Sequence, residues 1–440
     1  MFTKARLVAR GFEDVGLDNH KTDSPTISKE SLRIVISMIA INGWQCRSMD
    51  VETAFLQGTP VTRDIFVKPP KEANTDALWK LNVCVYGLNE ASRHWYERAS
   101  NELIAAGAKK SKFDEALYYY HSRGKSHGLV GLHVDDFMYG GTKFHDEQII
   151  DTFRDKIVIG NEEVTPFKYI GAHVQQDKHE IFVDQQQYLS DMEGCEVDLQ
   201  DRQRTLDHDE HHLFRSLVGQ LNWLATQSRP DLSFDVCRLS TKLQAPIVQD
   251  VIDANKTLKK ANSVKLQLRY KQLKRPLRLL AFCDASYANL PGGASQGGYI
   301  VFLTDGDNNC SPLAWRSRKL RRVCRSTLTA ETLSLVDTID ICVWLKHIIE
   351  EIDNNELLPT IIRTDNKDLL DAAESTKAVE EKRLRVEIGV IRESIRNKDF
   401  VLQWVKGSKQ IADSLTKQGA NTSTLLQVLM DGSLQAILGS

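Results

Sequence analysis

Residues 132–140 read LHVDDFMYG, which sets Asp135 and Asp136 side by side inside an apolar, strand-like run. Adjacent carboxylates repel, and on a strand or tight turn at least one faces a partly buried side, a costly placement unless a cation compensates. A third acid, Asp50 in MDVETAFLQG, opens another strand-like run. Divalent-metal phosphoryl transfer needs carboxylates converging from separate elements, because two ions about 3.5 to 4 Å apart must be held with positions left open for substrate phosphate. On spacing alone this pattern is not decisive, since Asp pairs at hairpin tips are common on surfaces. The far end repeats the theme with Asp284 (FCDAS), Glu331 (STLTAET), Asp365 (RTDN) and Asp413 (IADSL). These fall on a first strand, a long helix, the end of a fourth strand and a final short helix, an order in which four acids can share one metal pair. Any one of them alone reads as a helix cap or surface charge, and Asp365 suits an N-cap as well as a ligand.

The elements that must position these groups follow from periodicity. SLRIVISMIAINGW (31–44) and ASRHWYERASNELIAAG (91–107) have helical spacing, and the second stops at a glycine. FDEALYYYHS and HGLVGLHVDDFMYGG are two β-prone runs separated by RGKS, which predicts a hairpin with the Asp pair near its tip. The acidic stretch 190–212 is the candidate linker, and 213–275 is mostly helical in pattern up to a boundary at Pro276. Beyond it, LRLLAFCDAS, GGYIVFLTDG and SPLAWRS read as three strands. A helix from about 327 to 352, the strand PTIIRTDN, helices from 365 and around 378–396, the strand DFVLQWVKG and a short helix 409–417 complete a compact α/β domain.

The chain has 440 residues, 41% hydrophobic and 26% charged, room for two or three ordinary globular domains. Its eight cysteines form no C-x-x-C pair and no Cys/His cluster at zinc spacing, which argues against a disulfide framework and fits a reducing, intracellular and cytoplasmic setting. No apolar signal core opens the sequence and no run approaches the about 18 apolar residues of a membrane span. The net charge of -2 conceals strong patterning: residues 256–278 hold nine basic residues and no acid, and 315–325 hold six more, whereas 191–210 hold eight acids against two arginines. A basic run alone is a solvated helix face; two runs flanking a carboxylate site suggest a phosphate-backbone track.

An ordered series of segments closely resembles the reverse transcriptase of copia-type LTR retrotransposons: KARLVARGF, SPTISKESLRIVISM, MDVETAFLQG, VYGLNEASRHWY, HVDDFMYGG, YIGAHV, VDQQQYL and SLVGQLNWLATQSRPDLSFDV. The resemblance runs from residue 4 to about 418. It implies an α+β right-hand polymerase, with fingers and palm over 1–189 and a linker and helical thumb or connection over 190–275. An α/β ribonuclease H-like domain over 276–420 and a tail over 421–440 follow. It implies that Asp50, Asp135 and Asp136 hold two Mg²⁺ (or Mn²⁺ in substitution) with the backbone carbonyl of Val51, and that Lys4, Arg6 and Arg10 contact triphosphate. Phe55, five residues after Asp50, matches an aromatic ring beneath the nucleotide sugar, a clash against a 2′ hydroxyl that selects deoxynucleotides; a lone Phe is otherwise core. Asp284, Glu331, Asp365 and Asp413 match a ribonuclease H site with its own two ions, which would cut RNA paired with DNA. Implied partners are RNA template, DNA primer, RNA/DNA hybrid and deoxynucleoside triphosphates, with no membrane. Integrase, protease and DNA integration functions would lie on other parts of a Pol polyprotein, and a virus-like particle is the implied location.

Three features depart from the family pattern. The family fingers begin upstream of KARLVARGF, so the chain is expected to start inside them. Glu90 stands in the YGL motif where Gln is usual, next to the nucleotide. The loop WVKGSKQ before Asp413 lacks a histidine, and Lys406 and Lys409 are poor proton shuttles near neutral pH. Two alternatives therefore stand beside an active enzyme: a catalytically inactive remnant, and a co-opted nucleic-acid-binding protein that does no chemistry.

Overall fold

The protein is described as a computed structural model covering residues 7–14, 21–375, 379 and 381–439. Lys4 and Arg6 lie outside the described residues. The chain divides into two compact units, Met1–Val35 with Trp44–Thr165 and Glu351–Asn354, and Ile36–Gly43 with Pro166–Glu350 and Asn355–Ser440.

Eight strands belong to the first unit: β1 (Arg47–Val51), a short ribbon of β2 (Phe66–Val67) and β3 (Trp79–Lys80), then β4 (Lys109–Lys110), β5 (Leu117–Ser122), β6 (Lys125–His133), β7 (Asp136–Gly141) and β8 (Ile159–Val164). All but the ribbon form one sheet in the order β4-β5-β6-β7-β1-β8. RGKS does turn a hairpin, with Ser122 opposite Lys125. The run 127–141 is not one strand, however. It breaks at Val134–Asp135 into β6 and β7, with His133 opposite Asp136, so the Asp pair caps a second hairpin. Helix α1 (Lys29–Asn42) is apolar on most sides, and Ile34, Val35, Ile36, Met38, Ile39 and Ala40 are all buried. Helix α2 (Ala91–Ala105) buries Trp95, Ala99 and Leu103, a stripe at four-residue spacing. Phe137, Met138 and Tyr139 of β7 are fully buried, each contributing about 1.5–3 kcal/mol of burial at the strand that carries Asp136.

In the second unit β9 (Phe167–Tyr169), β10 (Ala172–Asp177), β11 (Glu180–Asp184) and β12 (Leu268–Tyr270) make an antiparallel sheet, so the region 213–275 is not wholly helical. Between β11 and β12 run helices α3 (His208–Gln227), α4 (Ser233–Ser240) and α5 (Val248–Ser263), which share one apolar core. The acidic stretch 190–212 is packed rather than open: Met192, Cys195 and Leu206 are buried in that core. Its acids serve local structure, because Asp207 caps α3 with Glu210 in a reciprocal capping box and Arg204 grips Glu210. Within SRPD, Arg229 donates to both carboxylate oxygens of Asp231 at 2.9 and 2.8 Å and to the Ala261 carbonyl at 2.6 Å, all of it buried.

The last part matches its expected order closely. Strands β13 (Arg278–Leu290), β14 (Ala294–Thr304) and β15 (Cys310–Lys319) are antiparallel; β16 (Leu358–Thr364) and β17 (Phe400–Trp404) add in parallel, giving β15-β14-β13-β16-β17. Helices α6 (Thr327–Asp353), α7 (Lys367–Glu374) and α8 (Arg385–Arg396) connect them. The expected helix 409–417 is a pair of 3₁₀ turns, Gly407–Lys409 and Ile411–Leu415, and the expected tail contains helices Ser423–Asp431 and Gln435–Leu438. This α/β domain is held to the α3–α5 helices through the Trp315 indole N–H, which donates to the Ala225 carbonyl at 2.9 Å.

Candidate active sites

In the first unit, strand pairing assembles the acids. β1 lies between β7 and β8, with Asp50 directly opposite Asp136, and the Val51 amide donates to the Asp135 carbonyl at 3.1 Å. Cross-strand partners have Cβ atoms about 4.5–5.5 Å apart, so main-chain bonds alone force these carboxylates together. The turn between them is tight and strained: Val134, a β-branched residue, takes φ 57°. It is pinned from α2, where the Trp95 indole N–H donates to the Val134 carbonyl at 2.6 Å. Burial, then the neighbouring Asp135 and Asp50 charges, pushes the Asp136 carboxyl up to about 6.

The residues expected around the nucleotide are only partly gathered. The Ala9 and Gly11 amides donate to the Tyr86 and Gly87 carbonyls, which joins KARLVARGF to the YGL motif. Arg10 itself is exposed and pairs with Glu13. Phe55 sits in a 3₁₀ turn, Ala54–Gln57, its ring centroid 4.9 Å from that of Tyr86, and it packs on a small core of Ile65, Cys84, Leu88 and Ala91. Glu90 is buried and receives Arg63 Nε and Nη2 at 3.1 and 3.0 Å.

In the second unit, Asp284 lies on β13 opposite Gly298, Glu331 in the first turns of α6, Asp365 just past β16, and Asp413 in the turn Ile411–Leu415. Carboxylate oxygens of Asp284, Asp365 and Asp413 all lie within 4.8 Å of one another, whereas Asp50, Asp135 and Asp136 do not form so tight a group. Gly298 permits the approach: a Cβ there would stand 2.8 Å from Leu415 Cβ and 2.9 Å from Thr416 Cγ2, displacing the turn that carries Asp413. The α6 side is fixed by Ser334, whose hydroxyl donates to the Asp284 carbonyl at 2.8 Å. Burial pushes the Asp284 carboxyl up to about 7, against the lowering effect of Lys417. Burial and the charges of Asp284 and Asp365 hold Glu331 well above the carboxylate range, and among the described residues its buried Oε2 has no hydrogen-bond partner. A buried oxygen without a partner, beside three converging carboxylates, fits a divalent cation.

Lys417 was not anticipated. It stands four residues after Asp413, and its ammonium lies 2.7 Å from Asp413 Oδ1 and 3.4 Å from Asp284 Oδ2. Thr416 donates its hydroxyl to Asp284. The only sequence signal was the i,i+4 spacing within DSLTK. The basic run 256–278 is partly neutralised in place, with Lys256 on Asp253, Lys260 on Asp235, Arg269 on Glu180 and Lys274 on Asp307. In the run 315–325, Arg316, Lys319, Arg321, Arg322 and Arg325 are exposed.

Comparison with known proteins gives these sites a context. Residues 2–200 match the family model described as reverse transcriptase (RNA-dependent DNA polymerase). The chain is 28% identical over 447 residues to a retrovirus-related Pol polyprotein from transposon RE1 of Arabidopsis thaliana, covering 96% of this chain and 30% of that protein. It thus spans about a third or less of that relative's length. A putative transposon Ty5-1 protein of Saccharomyces cerevisiae is 28% identical across 66% of this chain and 99% of its own. Among solved structures, a foamy viral protease-reverse transcriptase in complex with RNA/DNA hybrid superimposes with TM-score 0.53 at 10% identity, over 91% of this chain and 48% of that one, a likeness of fold.

Proposed function

We propose that this chain, similar over residues 2–200 to the reverse transcriptase family and over 96% of its length to a retrovirus-related Pol polyprotein, copies RNA into DNA and, through the acids of its last α/β domain, degrades the RNA strand of the resulting hybrid as a ribonuclease H would. The observation that carries this reading is the gathering of acids in two separate places, where burial first and the neighbouring carboxylates after it raise Asp136 to about 6 and Asp284 to about 7. Each placement costs stability unless a cation joins it.

Asp50, Asp135 and Asp136, with the Val51 carbonyl, would hold Mg²⁺ at the first site; Asp284, Glu331, Asp365 and Asp413 would hold it at the second. Bound divalent ions supply activation of the attacking oxygen and neutralisation of phosphate charge. The protein's own contribution is position. Trp95 anchors the turn that aims Asp135 and Asp136, the Phe55 ring on Tyr86 excludes a 2′ hydroxyl, and Gly298 lets Asp413 reach Asp284. The exposed arginines of 316–325 and the less neutralised lysines of 256–278 would meet hybrid phosphates. Template, primer, hybrid and deoxynucleoside triphosphates are the partners this reading requires. Among the described residues no helix is long and apolar enough to cross a membrane.

A second reading, a nucleic-acid-binding protein without polymerisation, is favoured by one feature: Glu90 presents a carboxylate, already paired with Arg63, at a position expected to meet triphosphate. Primer extension on an RNA template with a DNA primer and Mg²⁺, run beside hybrid cleavage, separates the two. Extension lost in Asp135→Asn and cleavage lost in Asp284→Asn establish the enzyme. Salt-sensitive hybrid binding that is unchanged in both variants, without turnover, establishes the binder.

A further inference from the structure

We propose that Cys84, Glu90 and His94 form a zinc site in the first unit, separate from the acidic centres and independent of whether the chain polymerises. One donor atom from each of the three lies within 4.8 Å of the others. The elements converge for simple reasons. Glu90 and His94 are four residues apart at the start of α2, hence on one face, while Cys84 enters from the segment that carries the Pro60–Val83 bridge. Thiolate, imidazole and carboxylate are the ligand set of Zn²⁺, whose bonds of about 2.0–2.3 Å need only a modest contraction of this triangle.

The surroundings are arranged as outer-shell groups usually are. His94 Nδ1 lies 3.1 Å from the Thr59 carbonyl and 2.7 Å from the Thr59 hydroxyl, a setting that suits the tautomer in which Nδ1 donates to the carbonyl and Nε2 offers its lone pair to an ion. Arg63 puts both its Nε and Nη2 on Oε1 of Glu90 and grips Asp14 with the other edge, so Oε2 stays outside the pairing. Cys84 is wholly buried among Ile65, Leu88 and Ala91, where burial, then the Glu90 charge, pushes its thiol up to about 12. An unliganded thiol there stays protonated. On binding, the ion takes the thiolate and the thiol proton leaves to solvent, with no change of oxidation state. The result ties three stretches, 59–63, 84 and the start of α2, at one point, and the fourth coordination position stays open to water.

The test is an anaerobic titration of the full chain with Co²⁺ in excess Mg²⁺, followed by Zn²⁺. Carboxylate sites give no sulfur-to-cobalt charge-transfer band, so that band reports a thiolate ligand. The expected result is a band that saturates at one equivalent, is bleached by Zn²⁺, and is absent in Cys84→Ser. His94→Gln should weaken Co²⁺ binding and shift the visible bands, and Thr59→Ala should weaken it about 10- to 100-fold. No band in the parent overturns the proposal, as does a band undiminished in Cys84→Ser, which would assign the ion to another of the seven remaining cysteines. Should Cys84→Ser fail to fold, unchanged affinity and spectrum in both His94→Gln and Thr59→Ala overturn it equally.

Discussion

Replacing Asp136 by asparagine will stabilise the metal-free protein at neutral pH while removing an oxygen that a divalent ion needs. The carboxyl is displaced from 3.8 to about 6 by burial and by its two acidic neighbours. At about 1.4 kcal/mol per pH unit that is about 3 kcal/mol, and solvent screening of a half-buried group lowers it to about 1–2 kcal/mol. Because the folded carboxyl is the weaker acid, the folded state keeps a proton that the unfolded chain has already released between pH 3.8 and about 6. Its contribution is therefore fully present below that window, falls as the pH climbs through it, and is flat above. Asparagine, uncharged throughout, escapes the loss. Amide hydrogen exchange of peptides spanning β6 and β7, in chelator, reads the local opening equilibrium directly. At pH 7.5 the variant should open about 5- to 30-fold less often than the parent, and near pH 4 the two should converge. Added Mg²⁺ should protect the parent and leave the variant unchanged. A variant that opens as often as the parent at pH 7.5, or a gap that persists at pH 4, would refute the assignment of Asp136 to a half-buried carboxylate cluster whose like charges oppose folding.

Three further outcomes are expected. Asp231→Ala strands the buried Arg229 guanidinium and should cost about 3–5 kcal/mol in denaturant unfolding of the second unit, whereas a loss below 1 kcal/mol would mean that solvent reaches it. Gly298→Ala should displace the turn 411–415 by steric contact and abolish hybrid cleavage while leaving primer extension intact; retained cleavage would show that the turn adapts. Lys417→Met should lower metal-free stability by about 1 kcal/mol, a small figure because the side chain is partly exposed, and should tighten Mn²⁺ binding measured by electron paramagnetic resonance. Unaltered Mn²⁺ affinity would show that the ammonium does not compete with the ion.

The order of strands and helices after residue 276 was legible because each strand there is an apolar run bounded by turn residues and the parallel pair is separated by helical periods. The converging acids of that domain were legible for the same reason. Other features were not. The turn at Val134–Asp135 carries no glycine, asparagine or proline signature, since a valine is held at positive φ by Trp95 from a distant helix, so the run 127–141 read as one strand. The stretch 190–212 read as a linker because its acids outnumber its apolar residues, yet Met192, Cys195 and Leu206 suffice to anchor it once the acids cap a helix. The basic run 256–278 looked like an open cationic face, because partners such as Glu180 and Asp307 lie far away in sequence. The joining of Cys84 to Glu90 and His94 depends on a loop closing over a helix start, which no local period encodes.

Lys417 bears on the order of events in a cell. Many metalloproteins cannot finish folding until their ion arrives, because acids or thiolates pushed together have nothing to hold them. Here burial works against the ammonium's charge, but Asp284 and Asp413 outweigh it and keep the group charged. The chain thus brings its own temporary cation, covalently attached and always available. The domain can close first and, on the proposed reading, would exchange lysine for a divalent ion afterwards, so a shortage of that ion during synthesis would leave folding unharmed.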